Sequence, residues 1–169
     1  MGTVYSQLSI TERRRIERMS ASCSAPLSGH RCAIPCRAVD DVAHRRQFGH
    51  WEGDLMLFEQ MLGQTNVTTL VERVSQFTVI LKNPNTRTKP VMGKIIKAIK
   101  NLPHIARRSI TFDRGTEFVS WPHLQAQTGT LTWFCDPSSP WQKGTVENTN
   151  RRARRWLPRK RDIRKLTDP

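Results

Sequence analysis

The chain has 169 residues, of which 37% are hydrophobic and 25% charged, so it suits one globular domain rather than a low-complexity or membrane protein. Lysine and arginine outnumber the acidic residues by 28 to 14, which gives a net charge of +14. No apolar run reaches the roughly 20 residues of a membrane helix, and the start lacks the apolar centre of a signal peptide. These features predict a cytoplasmic protein that binds a polyanion such as nucleic acid.

The first part of the chain contains one short helical pattern and then no periodicity. Residues 5–19 read YSQLSITERRRIERM, in which Ser9 or Thr11 could cap a short helix. Residues 20–47 contain serine, cysteine, proline and arginine in no regular order and show neither a helix nor a strand period, which predicts a loop or disordered linker. The potential metal ligands in this segment lack the paired spacing of a zinc site, so reduced thiols are expected at Cys23, Cys32 and Cys36.

Three strand-like runs follow the linker. They cover residues 50–58, 65–74 and 77–83 and are rich in β-branched and apolar residues. Only Ser75 and Gln76 separate the second run from the third, as in a tight hairpin. The pattern predicts three consecutive antiparallel strands.

The rest of the chain alternates helices and short strands. Residues 89–102 place their apolar side chains on one stripe and predict an amphipathic helix. Beyond it we predict a strand at 109–115, a helix at 117–127 interrupted by Pro122, a strand at 130–137 and a helix from about Thr145 to Leu157 that Pro158 ends. This order is typical of an α/β domain in which helices cover a mixed sheet.

Three acidic residues occupy unusual positions in this layout. Asp54 lies within the first strand, Asp113 at the end of the fourth, and Glu147 in the first turns of the last helix. A carboxylate in an apolar strand costs several kcal/mol to bury unless a cation or a partner compensates it. Most acidic residues are ordinary surface groups or helix caps. Hard divalent cations prefer such oxygen ligands, however, so the three acids are candidate metal ligands.

Four segments carry a resemblance to a known family. They are HWEGD around Asp54, TLVERVSQFT after it, FDRGTEF around Asp113, and FCDPSSPWQKGTVENTNRRARRWLP around Glu147. In this order they resemble the catalytic core of the insertion-sequence-thirty family of bacterial transposases, over residues 48–166. The resemblance implies a ribonuclease H-like fold with a mixed five-stranded sheet. It also implies that the three acids form a DDE triad holding two Mg²⁺ or Mn²⁺ ions.

The family resemblance further implies DNA strand cleavage and strand transfer, with element ends and target DNA as partners. Such an enzyme would act at the nucleoid of a bacterial cytoplasm, as a homo-oligomer when active. Arg151 and Arg154 follow Glu147 by four and seven residues, hence on its helix face, and Lys143 precedes it by four. We therefore predict that these three cations contact DNA. Glu52, two positions before Asp54, is interpreted as a supporting residue rather than a ligand.

The sequence departs from the family pattern at both ends. Residues 1–19 are interpreted as a remnant of an N-terminal helix-turn-helix region, 20–47 as the linker and 48–169 as the catalytic core. A further helix expected to pack on the sheet would lie beyond Pro169. Two hypotheses follow: a transposase core, or a truncated remnant that only binds DNA without sequence preference.

Overall fold

Five strands form one sheet in the computed structural model, which describes residues 47–136 and 140–166. The strands are β1 (His50–Met56), β2 (Asn66–Glu72), β3 (Thr78–Asn83), β4 (Ser109–Phe112) and β5 (Leu131–Phe134), arranged in the order β3-β2-β1-β4-β5. β1 pairs antiparallel with β2 and parallel with β4, while β2–β3 is antiparallel and β4–β5 is parallel. The predicted mixed five-stranded sheet is thus confirmed. The predicted short helix and three of the cysteines lie outside the described residues.

The described ranges contain three α-helices: α1 (Thr88–Ile99), α2 (Trp121–Thr128) and α3 (Gly144–Ala153). The predicted helix over 117–127 is broken, but the break lies before Pro122: a 3-10 turn covers Thr116–Phe118, and Pro122 lies in the first turn of α2, where a missing amide hydrogen is tolerated. The predicted end of α3 at Leu157 was wrong, since the chain leaves the helix at Arg154. No helix within the described ranges combines the length and apolar character needed to cross a membrane.

One face of β1 belongs to the main hydrophobic core. Side chains alternate across a strand, so Trp51 and Leu55 point to the same face, and both pack with the apolar stripe of α1. The core residues buried there are Trp51, Leu70, Val91, Met92, Ile95, Ile99, Ile110, Phe112, Phe118 and Leu124. Gly53 lies on this same face directly under the ring of Phe112. This packing holds the central strand against α1 and α2.

The other face of β1 carries Glu52, Asp54 and Met56 toward α3. Glu52 accepts a hydrogen bond from the backbone of α3, and Asp54 accepts one from a side chain of the same helix. Met56 lies in a smaller apolar cluster with Val67 and Ile163, against which Phe58, Ala153, Leu157 and Leu166 pack. The chain segment after α3 therefore covers the end of β1.

Glu72, at the end of β2, is a buried carboxylate that organises the β2–β3 hairpin. One of its oxygens accepts a hydrogen bond from the backbone amide of Gly49 at 3.0 Å. The other accepts bonds from the backbone amides of Val74 and Ser75 and from the Ser75 hydroxyl, at 3.0, 2.6 and 2.7 Å. Charge-assisted hydrogen bonds of this kind compensate the burial of the carboxylate. They join the hairpin turn to the start of β1.

Candidate active site

Asp54 lies at the centre of the site, on the face of β1 that α3 covers. Its side chain is 22% exposed and accepts two hydrogen bonds. The Nζ of Lys143 donates to Oδ1 at 2.7 Å, and the Nδ2 of Asn150 donates to Oδ2 at 2.7 Å. Two partners, one just before α3 and one within it, thus fix the orientation of this carboxylate.

Asp113 directly follows β4, the parallel neighbour of β1. The register pairs Glu52 with Thr111, so its continuation brings Asp113 alongside Asp54. The Oδ1 of Asp113 accepts the backbone amide of Gly115 at 3.0 Å, which closes a tight turn after the strand. Its Oδ2 accepts a hydrogen bond from Lys143 Nζ at 2.8 Å. The two aspartates therefore share one ammonium group.

Lys143 immediately precedes α3, and its side chain is only 7% exposed. Burial by itself would lower the pKa of Lys143, but the charge of Asp54 and the hydrogen bonds to Asp113 and Asp54 outweigh burial and raise it. The ammonium is therefore charged at neutral pH. The sequence predicted a DNA contact for this residue, and that role stays a prediction because the described partners of its Nζ are carboxylates.

Glu147 lies one helical turn after Lys143, in the first turn of α3, and its carboxylate is exposed. It lines a cleft of about 560 Å³ together with Asp54, Asn150 and Arg151. Desolvation raises the pKa of Glu147, Lys143 opposes the shift, and the negative charges of Asp54 and Glu52 reinforce it. The third predicted acid thus opens onto the cleft that Asp54 also lines.

A buried ion pair supports the site from behind. Glu52 is fully buried and accepts hydrogen bonds from Arg73 Nε at 2.7 Å and from the Val146 backbone amide at 2.8 Å. Arg73 also donates to the backbone carbonyl of Gln142 at 2.7 Å. Because Gln142 and Val146 flank Lys143, this pair fixes the entrance of α3 relative to β1. The interpretation of Glu52 as a supporting residue agrees with these contacts.

Arg151 and Arg154 both line the cleft, but they have different surroundings. Arg151 is exposed, and its guanidinium donates to the side chain of Asn148 at 2.9 Å. Arg154 is half-buried, donates to the carbonyls of Leu57 at 2.8 Å and Leu157 at 3.3 Å, and lies over the ring of Phe58. Burial and the nearby charge of Arg159 lower the pKa of Arg154. Their predicted contacts with DNA stay predictions.

The three predicted metal ligands do not form a closed metal cage. Within the described residues, no group of three or more histidine, cysteine or acidic side chains is close enough to hold a metal ion. The donor chemistry nevertheless fits a hard cation, since Asp54 and Asp113 converge on one positive charge and Glu147 opens onto the cleft that Asp54 lines. In addition, Oδ1 of Asn150 is buried beside Asp54 and has no hydrogen-bond partner among the described residues. An acceptor of this kind suits a cation or its bound water.

The sequence indicated the positions of the acids but missed their partners. Asn150, three residues after Glu147, holds Asp54 through its side-chain amide. Arg73 and Gln142 drew no interpretation, although both help to position α3. Lys143, four residues before Glu147, lies at the entrance of α3. Its carboxylate partners lie 89 and 30 positions away in the chain, so local spacing could not reveal them.

Comparison with proteins of known sequence identifies relatives of this chain. The chain is 37% identical over 127 residues to a transposase of Escherichia coli, "Transposase InsI for insertion sequence element IS30C", covering 75% of this chain and 32% of that protein. It is also 37% identical over 123 residues to "Transposase for insertion sequence element IS1086" of Cupriavidus metallidurans, covering 73% and 36%. The chain spans about a third of the length of these curated relatives. The predicted resemblance to insertion-sequence-thirty transposases is confirmed.

Comparison with solved structures supports the fold. The structure is similar to a chain in the cryoEM structure of the simian T-cell lymphotropic virus intasome in complex with PP2A regulatory subunit B56 gamma. The match has a TM-score of 0.52 and 20% identity, and it covers 62% of this chain and 37% of the other. The predicted ribonuclease H-like fold is confirmed. Residues 44–140 match the family described as "Integrase core domain", and this match over more than half of the chain places the chain in that family.

Proposed function

We propose that this domain catalyses metal-dependent cleavage and transfer of DNA strands, as a DDE-type transposase core. Asp54, Asp113 and Glu147 would be the ligands of two Mg²⁺ or Mn²⁺ ions. The observation that carries the proposal is the convergence of Asp54 and Asp113 on a single ammonium, at 2.7 and 2.8 Å. Two carboxylates held so close need a positive charge between them, and a divalent ion meets this need better than a monovalent group.

The chain's own residues would orient and hold the reacting groups. Asn150 fixes the carboxylate plane of Asp54, and the turn at Gly115 fixes that of Asp113. The buried Glu52–Arg73 pair holds the start of α3, and with it Glu147, against the sheet. Divalent ions bound here would activate the attacking hydroxyl and neutralise charge on the phosphate. Rigid placement of the ligands is what such chemistry requires from the protein.

DNA would approach along the cleft beside Glu147. Arg151 is exposed on this side, and the chain's net charge of +14 favours a polyanionic substrate. By their similarity to this chain, the relatives named as transposases support element ends and target DNA as the substrates. We also propose that the active form is a homo-oligomer acting on DNA in a bacterial cytoplasm.

The test uses two DNA substrates. Supercoiled plasmid reports nicking, and a labelled oligonucleotide with a free 3′-hydroxyl reports joining to that plasmid, each with Mg²⁺ or Mn²⁺ and with EDTA. We expect both products in the presence of metal, and expect Asp113→Asn to reduce them to background. Asp162→Asn is the matched control, because Asp162 lies in the segment after α3 and pairs with Arg164. Equal products from wild type and Asp113→Asn would contradict the assignment.

A further inference from the structure

We infer that Lys143 is a resident counter-ion, which holds Asp54 and Asp113 together in the metal-free protein and competes with divalent cations for their oxygens. The inference rests on the proposed function, because it assigns the cation site to these two carboxylates. It adds a positioning role for a residue outside the acidic triad. It also predicts that metal entry must displace an internal cation.

The first argument is the distribution of burial around the ammonium. The side chain of Lys143 is 7% exposed, whereas those of Asp54 and Asp113 are 22% and 42% exposed. The lysine thus reaches the carboxylates from the protein interior, while the carboxylates keep an open side toward solvent. A cation from solution would meet the pair on that open side. It would then share the same oxygens with an ammonium already bound to them.

The second argument is that the lysine is anchored independently of the carboxylates. The neighbouring Gln142 is buried, and its side chain exchanges two hydrogen bonds with Asp136, at 2.8 and 3.0 Å. Its backbone carbonyl accepts a further bond from Arg73 at 2.7 Å. The ammonium therefore reaches the site from a fixed point of attachment. An intramolecular ligand of this kind loses no translational freedom on binding, which makes it an effective competitor.

The third argument is electrostatic. Removing the positive charge would leave two adjacent carboxylates with only neutral donors, which is unfavourable for like charges at close range. Binding of a divalent ion to the same oxygens would place it beside the ammonium, and these charges repel each other. The two cations are therefore alternatives. When the ammonium occupies the carboxylates, the divalent ion binds more weakly, and the reverse also holds. This is a negative coupling between two cations that bind one site.

The test compares Lys143→Met with Lys97→Met, a control on the exposed side of α1, in the full chain. Calorimetric titration with Mn²⁺ gives the dissociation constant of each. We expect Lys143→Met to bind Mn²⁺ more tightly than wild type, by on the order of tenfold, and the control to bind like wild type. In EDTA, thermal unfolding of Lys143→Met should occur at a lower temperature than that of wild type, and saturating Mn²⁺ should close this gap.

Two outcomes separate this inference from the function on which it rests. Binding of Mn²⁺ by wild type with equal or weaker binding by Lys143→Met would overturn the inference and leave the metal site intact. Absence of Mn²⁺ binding by both proteins would overturn both.

A measurement on the wild-type protein removes any dependence on folding of the variant. The ammonium of Lys143 is buried and doubly hydrogen-bonded, so its nitrogen–proton signal should be observable by NMR in EDTA. We expect Mg²⁺ at concentrations that saturate the site to shift or abolish this signal. An ammonium signal unchanged by saturating Mg²⁺ would show that the lysine and the metal do not compete.

Discussion

Glu52 Oε2 accepts a hydrogen bond from the backbone amide of Val146 at 2.8 Å, although the two residues are 94 positions apart in the chain. The other oxygen of Glu52 is bound by Arg73 at 2.7 Å, and both side chains are buried. This contact joins the strand that carries Asp54 to the helix that carries Glu147. Its loss would affect the stability of the domain and the relative positions of the acids.

Glu52→Ala should lower the free energy of unfolding by about 3–5 kcal/mol, because it removes a buried carboxylate that accepts hydrogen bonds from Arg73 and from the Val146 amide. Urea denaturation monitored by tryptophan fluorescence measures the change. Glu59→Ala is the matched control, since Glu59 is exposed and lies just beyond β1. A loss no larger than that of the control would contradict the structural role of the pair.

Gly53→Ala should destabilise the domain by about 1–3 kcal/mol through overpacking. A Cβ atom at position 53 would lie 2.4 Å from Cε1 of Phe112, whose ring is fully buried and stacks on Phe118 at 4.2 Å. The ring therefore has little room to move. Gly93→Ala in α1 is the control, because nothing among the described residues lies within 4 Å of the added atom. That change should raise helix stability by roughly 0.5–1 kcal/mol, and thermal denaturation of the two variants tests both expectations.

Arg151→Ala should weaken binding to duplex DNA without changing thermal stability, because Arg151 is exposed and its described hydrogen bond goes only to Asn148. Each lost phosphate contact should reduce the slope of log K against log salt by about 0.9. Fluorescence anisotropy at several salt concentrations measures the slope. An unchanged slope would place the DNA footprint elsewhere on the protein.

Arg154→Ala should weaken DNA binding and also lower the unfolding temperature. Its guanidinium binds the carbonyl of Leu57 and lies 5.1 Å from the ring centroid of Phe58, so it helps to join the end of β1 to the segment after α3. The comparison with Arg151→Ala separates the two roles by anisotropy and differential scanning fluorimetry. Equal unfolding temperatures for both variants would argue against the structural contribution of Arg154.

Cys135 should be unreactive in the native protein at pH 8. Burial raises the pKa of this thiol from 9.0 to about 12, although the charges of Lys143 and Arg73 oppose the shift. At pH 8 the fraction of Cys135 present as thiolate is then lower in the native protein than in the unfolded chain, by on the order of a thousandfold. Alkylation of a Cys23→Ser, Cys32→Ser, Cys36→Ser variant, with and without urea, measures the difference. Comparable rates in both conditions would show that the thiol is accessible and ionised.

The same shift implies a pH dependence of stability. The thiol of Cys135 loses its proton near pH 9 in the unfolded chain but only near pH 12 in the native protein. Its contribution to the free energy of unfolding is therefore fully present below pH 9 and is lost as the pH rises from 9 to about 12. Cys135→Ala should therefore lose less stability than wild type between pH 9 and 11. Parallel stability curves for the two proteins would contradict the assigned pKa.

The elements that carry strong local patterns could be predicted from the sequence. The apolar stripe of α1 and the β-branched runs of β2 and β3 specify their structure locally, and the observed bounds differ from the predicted ones by only a few residues. Beyond α3 the chain makes tertiary contacts, since the side chain of Arg154 binds the carbonyl of Leu57 and Leu157 packs on the Met56 cluster. Local propensity favours continuation of the helix to Pro158 and carries no information about these contacts.

The site shows the same division between local and distant information. Asp54, Asp113 and Glu147 could be predicted as site residues because each stands in a recognisable local motif, and their role as metal ligands stays a prediction. Their partners could not, because Asn150 and Lys143 meet Asp54 only after α3 packs on β1. Whether a motif residue faces a carboxylate or solvent is decided by that packing.

The hydrogen bonds of Glu72 have a consequence for the direction in which the Asp54 side chain points. β1 and β2 are paired so that Trp51 lies opposite Glu72 and Asp54 opposite Thr69. A slip of one residue would turn Asp54 toward the apolar core, because successive side chains point to opposite faces. Such a slip would also separate Glu72 from the Gly49 amide that precedes β1. The bond between Glu72 and Gly49 thereby helps to keep Asp54 on the face of the sheet that α3 covers.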